Sequence, residues 1–88
     1  MKLIIAILRD SDNESVSQAL VNEGYRVTRI ASTGGFLRRG SSTLMIGTEY
    51  ERVDRAIELI QNNLGPVTEP GTNRASLFVL NVEHFHQV

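Results

Sequence analysis

Cysteine is absent from this chain of 88 residues, which excludes a disulfide framework, a thiolate metal site and a cysteine nucleophile. Neither sign of charge dominates, because nine lysines and arginines stand against ten aspartates and glutamates, for a formal net charge of −1. Such a balance argues against general binding to nucleic acids, which usually needs a basic surface. No hydrophobic run is long enough to span a membrane. These absences are typical of a cytoplasmic protein.

Residues 1–8 read MKLIIAIL and superficially suggest a secretory signal peptide. The apolar run is too short for one, it ends at Arg9 and Asp10, and no small-residue cleavage pattern follows it. We therefore interpret it as a buried strand. The length of the chain, with no internal repeat or linker, predicts a single domain that covers residues 1–88.

Hydrophobic periodicity predicts four strands and two helices in the order βαββαβ. The predicted strands are residues 3–9, 26–32, 42–47 and 76–82. The first helix is predicted at about 12–23, where Gly24 stops it, and the second helix begins after Thr48 and ends before Gly65. Capping boxes are predicted for both helices, from Ser11 to Glu14 and from Thr48 to Glu51. The order is typical of the ferredoxin-like α+β fold, an antiparallel four-stranded sheet with two helices on one face.

The strands are apolar on both sides. The alternating residues are Leu3, Ile5 and Ile7 against Ile4, Ala6 and Leu8 in the first strand, and Leu77 and Val79 against Phe78 and Leu80 in the last. Such strands indicate a sheet buried on both faces, but two helices cover only one face. Exposing about six large side chains costs about 1.5–3 kcal/mol each, so we predict self-association through the open face. The alternative is that some of these residues are singly exposed at strand ends.

Residues 32–40, with the sequence STGGFLRRG, form a glycine-rich loop between the second and third strands. Glycine permits a positive φ and the close approach of a ligand to the backbone. Successive N–H groups of such a loop can bind an anion, and Arg38 and Arg39 supply positive charge beside them. Phe36 and Leu37 at its tip either pack on a partner subunit or line a pocket. The alternative is a hairpin connection whose glycines only satisfy turn geometry.

Three segments carry a resemblance to a known family: MKLIIAI at residues 1–7, TGGFLR at 33–38 and FHQ at 85–87. In these segments the chain resembles the PII-like cyclic-di-AMP receptor proteins. The resemblance implies a ferredoxin-like homotrimer that is not an enzyme, requires no cofactor and binds cyclic-di-AMP in each cleft between subunits. It also implies signal transduction to a downstream protein, which the sequence does not identify.

The resemblance further implies which residues bind the ligand. The positions that match the family's contacts are Arg26, Thr28, Gly35, Phe36, Leu37, Gly47, Phe78 and Gln87. In these roles Arg26 neutralises phosphate, and Phe36 and Phe78 stack on adenine at about 1–3 kcal/mol per stack.

Three further residues complete the predicted site. Gly34 adds a backbone N–H donor and Arg38 adds positive charge beside it. Ser41 stands where the family usually has an asparagine that helps to read the base, so an amide pair is replaced by one hydroxyl. The loop at residues 65–74 is also much shorter than in the family, where a long loop carries the signal to a partner.

The C-terminal tail suggests another class of function. If the tail is extended, His84 and His86 share one face, and two imidazoles at that spacing can chelate copper, nickel or zinc. The alternative is therefore a PII-like trimer that binds divalent metal ions or another small ligand through these histidines, although no third ligand is evident. RNA binding by such a sheet needs aromatic residues on the central strands, which the first and third strands lack. The sequence contains neither a nucleophile–base pair nor a Walker pattern, so nothing in it indicates an enzyme.

Overall fold

The structure, a computed structural model, describes residues 1–32, 40–67 and 73–88. The elements in chain order are β1 (Lys2–Arg9), α1 (Asp10–Asn22), β2 (Arg26–Ser32), β3 (Ser41–Thr48), α2 (Val53–Asn62) and β4 (Ala75–Asn81). The βαββαβ order is confirmed, and every predicted strand end lies within one residue of the observed one. The chain therefore has the ferredoxin-like α+β fold.

The four strands form one antiparallel sheet in the order β2-β3-β1-β4. One row of opposed residues crosses the whole sheet. Ile5 of β1 lies opposite Met45 of β3 and opposite Phe78 of β4, and Met45 lies opposite Thr28 of β2. Because side chains alternate between the faces of a strand, these four side chains share one face.

The hydrophobic core lies between the other face of the sheet and the two helices. The apolar residues without exposed surface are Ile4 and Ala6 of β1, Leu44 and Ile46 of β3, and Val16, Leu20, Ala56 and Ile60 of the helices. The helical residues recur at intervals of four, so each helix presents one apolar stripe to the sheet. This packing fixes which side chains of each strand are left on the open face.

Gly24 ends α1 as predicted. Its φ is 87°, a conformation that side-chain-bearing residues rarely adopt. The N–H of Gly24 donates to the carbonyl of Val21 at 2.9 Å, and the N–H of Tyr25 donates to that of Leu20 at 3.0 Å. This pair of bonds is the Schellman motif, which satisfies carbonyls at the helix end and returns the chain to the sheet as β2.

Both predicted capping boxes are wrong. Helix α1 begins at Asp10, directly after β1, so Ser11 lies inside its first turn and Arg9 occupies the N-cap position. Thr48 is the last residue of β3, and a turn of 3₁₀-helix at Tyr50–Arg52 separates it from α2. Helix α1 thus begins before the residue that the sequence pattern assigns to its cap, whereas Thr48 is still paired with Lys2 in the sheet.

Among the described residues, no helix covers the open face of the sheet. Ile7, Phe78 and Leu80 lie on it with 38%, 52% and 46% of their surface exposed. The prediction of strands that are apolar on both sides is thus confirmed for β1 and β4. Within the described parts of the chain, no helix has the length and apolar character needed to cross a bilayer.

Candidate functional site

A pocket of about 490 Å³ lies on the open face, between the sheet and the C-terminal tail. Its floor is formed by the ends of β1, β2 and β3, and its wall is formed by the segment that follows β4. The floor residues are Leu3, Arg26, Thr28, Met45 and Gly47, with Met1 beside them, and the wall residues are Val82, Phe85, His86 and Gln87.

Strand alternation and register bring the polar floor residues together. Arg26 and Thr28 are two residues apart on β2, so their side chains point to the same face. Arg26 lies opposite Gly47, and Thr28 lies opposite Met45. A guanidinium and a hydroxyl therefore stand side by side at the edge of an otherwise apolar floor.

The next arginine of the same strand points the other way. Arg29 lies on the helix side of the sheet, where its guanidinium is 4.0 Å from the carboxylate of Asp10. It also borders a separate groove along α1 with Asn13 and Ser17. Arg26 and Arg29 therefore supply positive charge to opposite faces of one strand.

Gly47 makes room on the floor. A β-carbon at this position would lie 2.8 Å from the Cε atom of Met1, closer than real contacts allow. The missing side chain lets the Met1 thioether lie against the strand, and a flexible methionine can be displaced by a ligand.

One backbone bond directs the tail toward the pocket. The N–H of Val82 donates to the carbonyl of Met1 at 3.1 Å, which extends the pairing of β4 with β1 by one step. The chain then leaves the sheet, and Phe85, His86 and Gln87 reach the pocket. Phe85 has 61% of its surface exposed, so an aromatic ring borders the pocket and remains accessible.

The chemistry of the pocket suits a planar anion. Among the described residues that line it, hydrogen-bond donors come from Arg26, Thr28, His86 and Gln87, and none of the residues is acidic. The apolar lining offers contact surface for a flat ring, while the guanidinium favours negative charge. A nucleotide combines these two features.

The structure brings four of the predicted site residues together and leaves others apart. Arg26, Thr28, Gly47 and Gln87 line the pocket. Phe78 lies on the same face, on the far side of β1, and does not line it. Ser41 begins β3, six residues from Gly47, which corresponds to about 20 Å along a strand.

The remaining predicted contacts belong to the glycine-rich loop. They lie outside the described residues, and their contribution to the site stays a prediction: Gly34, Gly35, Phe36, Leu37 and Arg38.

Sequence reasoning missed Phe85 and His86 as pocket residues. Both directly precede Gln87 in the segment FHQ, but the resemblance assigns only Gln87 to the ligand. Of the two histidines of the metal alternative, His86 lines the pocket and His84 is not among the residues that line it, and metal binding by the pair stays a prediction. In the described residues, no group of three or more His, Cys, Asp or Glu side chains could hold a metal ion.

Two comparisons with known proteins bear on this site. A family model described as "Cyclic-di-AMP receptor" matches residues 1–69, which include the whole pocket floor. A solved structure, "The crystal structure of a functionally unknown protein from Pediococcus pentosaceus ATCC 25745", is similar over 99% of this chain and 96% of that chain. Its sequence identity is 34% and its TM-score is 0.76. This similarity includes the C-terminal segment that forms the pocket wall.

Proposed function

The chain belongs to the cyclic-di-AMP receptor family, and from that premise we propose that it is a non-enzymatic, cytoplasmic signal-transduction protein that binds cyclic-di-AMP. The observation that carries this proposal is the convergence of Arg26, Thr28, Gly47 and Gln87 on one pocket. These residues come from β2, β3 and the tail, and they were expected at the ligand because of the family resemblance alone. Their convergence supports a shared role.

The size and polarity of the pocket support the same ligand. Its volume of about 490 Å³ falls within the range of about 300–1,000 Å³ that is typical of small-molecule sites. Arg26 is suited to a phosphodiester, because hydrogen bonds between charged partners are about twice as strong as neutral ones. Thr28 and Gln87 can donate to or accept from the edge of an adenine base.

We propose that the active form is a homotrimer with the ligand in the clefts between subunits. The exposed apolar side chains on the open face support this assembly. Full burial of an exposed large side chain is worth about 1.5–3 kcal/mol, and these side chains, at about half exposure, offer about half of that each. Phe78 lies on that face but outside the pocket of its own chain, a position from which it contributes to a neighbour's cleft. Ligand binding then alters the surface that the trimer presents to a protein target.

Calorimetry and thermal melts with cyclic-di-AMP, cyclic-di-GMP, ATP and AMP test the ligand. We expect cyclic-di-AMP to raise the melting temperature most, because saturation at 100 times Kd adds about 2.7 kcal/mol per site. If neither method detects binding of any of the four nucleotides, the proposed function is contradicted, whereas the fold assignment is not.

A pair of matched variants tests the site. Arg26→Ala removes the guanidinium from the pocket, and we expect the affinity for cyclic-di-AMP to fall about ten- to hundredfold, as for other hydrogen bonds to charged groups. Arg29→Ala is the control, because it removes the same charge from the other face of the same strand. Equal losses in the two variants would show that general electrostatic attraction, and not this pocket, binds the nucleotide.

Sedimentation equilibrium tests the assembly. We expect a mass three times the 9.8 kDa of one chain at every concentration used for binding. A stable monomer at high concentration would refute the trimer, and nucleotide binding by such a monomer would place the ligand within one chain.

A further inference from the structure

His86 and Arg26 come from different elements and line the same pocket. Arg26 stands on β2, one edge strand of the sheet, and the tail that carries His86 follows β4, the other edge strand. Both side chains border the same cavity of about 490 Å³. The pocket therefore has nitrogen donors from two separate elements.

A cyclic dinucleotide carries two phosphodiesters, each with one negative charge. Arg26 is the one permanently charged side chain among the described lining residues, and it can neutralise one phosphodiester. The other phosphodiester gains from a second donor, because a hydrogen bond to a charged group is about twice as strong as a neutral one. An imidazole donates an N–H group in both its neutral and its charged form, and no carboxylate among the described lining residues competes for it.

We propose that His86 donates an N–H to the phosphodiester that lies away from Arg26, as a second phosphate-binding residue of the pocket. This inference rests on the proposed function, since it concerns the same ligand at the same site. It also gives His86 a role separate from that of its neighbour His84, which is exposed and does not line the pocket.

The first test compares two histidines that are two residues apart. His86→Ala should weaken the binding of cyclic-di-AMP about ten- to hundredfold, with the melting temperature of the unliganded protein unchanged. His84→Ala should bind like the unchanged protein. A loss that is equal in both variants, or absent from His86→Ala, would overturn the assignment.

The second test removes charge from the ligand, with a cyclic-di-AMP analogue in which one phosphodiester is a neutral methylphosphonate. The analogue should orient its remaining charge toward Arg26 and place the neutral group at His86. It should bind the unchanged protein about tenfold or more weakly than cyclic-di-AMP, whereas His86→Ala should bind the two ligands equally. If the analogue loses the same factor in both proteins, His86 does not contact phosphate.

The two proposals fail in different ways. If the unchanged protein binds none of these ligands, the proposed function is wrong and the role of His86 falls with it. If the unchanged protein binds cyclic-di-AMP and the His86→Ala variant binds it equally well, only the role of His86 is wrong.

Discussion

We expect the replacement of Asp12 to destabilise the fold through the loss of identified hydrogen bonds. Its carboxylate is 7% exposed and accepts two hydrogen bonds, from Nε of Arg9 at 2.8 Å and from the backbone N–H of Gly65 at 3.0 Å. Arg9 in turn donates to the carbonyls of Gly65 and Pro66 at 2.8 and 2.9 Å. Three of these four bonds join the start of α1 to the segment that follows α2, and the bond between Arg9 and Asp12 holds the two anchoring side chains together.

The expected loss follows from what each substitution leaves unpaired. Asp12→Ala leaves the N–H of Gly65 without its acceptor, and a buried donor without a partner costs about 1–3 kcal/mol of stability. The substitution also removes the ion pair with Arg9. The Arg9 side chain is 29% exposed, so water takes over part of that interaction. We expect Asp12→Ala to lower the free energy of unfolding by about 2–4 kcal/mol. Asp12→Asn keeps an acceptor for Gly65, and we expect about half that loss.

Urea denaturation at one fixed protein concentration measures these losses, and the fixed concentration matters because assembly contributes to apparent stability. For a chain of this size, 2–4 kcal/mol corresponds to a fall in melting temperature of roughly 10–25 °C. Glu14→Ala is the control, because Glu14 is an exposed carboxylate close by in the same helix, and we expect a change within about 0.5 kcal/mol. A loss below about 1 kcal/mol for Asp12→Ala, or equal losses in both variants, would refute the reasoning.

Substitutions at three further positions probe other parts of the molecule. The Arg55 side chain hydrogen-bonds Glu23 and lowers the pKa of that carboxyl. This bond therefore stabilises the fold at neutral pH and is lost as the pH falls through the lowered pKa. The Glu23→Gln variant should melt at a lower temperature than the unchanged protein at pH 7 and at the same temperature in acid. Gly24→Ala should cost about 1–2 kcal/mol in urea melts because its φ of 87° suits glycine, and Gly24→Asn should cost less. Gly47→Ala adds a methyl group to the pocket floor, where it contacts only the flexible end of the Met1 side chain. Because the methyl group takes up space in the pocket, calorimetry should show weaker nucleotide binding. The free energy of unfolding in urea should change by less than about 1 kcal/mol.

The sheet could be predicted because its signal is local and repeated. In β1 the alternation of residues such as Leu3 and Ile4 fixes both faces of the strand before any partner is known. The glycine stop at Gly24 is equally local, since it depends on one backbone conformation. The capping box at Thr48 failed because that residue is paired within β3, and strand pairing is not local. The capping box at Ser11 failed because α1 begins one residue earlier, directly after β1.

The site was predictable only in part, for the same physical reason. Arg26 and Thr28 are two residues apart on one strand, so their shared face follows from the sequence. The position of Gly47 beside Arg26 depends on strand register. The positions of Phe85 and His86 at the pocket depend on how an aperiodic tail returns to the sheet. The resemblance to a family supplied Gly47 and Gln87, but it carried no information on the two side chains beside Gln87.

The bond from Val82 to Met1 brings the two ends of the chain to the rim of one cavity. Any affinity tag or reporter fused at either end would therefore emerge beside the ligand and compete with it for space. Untagged protein is the proper material for affinity measurements, and a fluorophore belongs on the outer side of α2, for instance at the exposed Gln61. A fusion at either end that weakened nucleotide binding would itself report that this corner of the molecule is occupied.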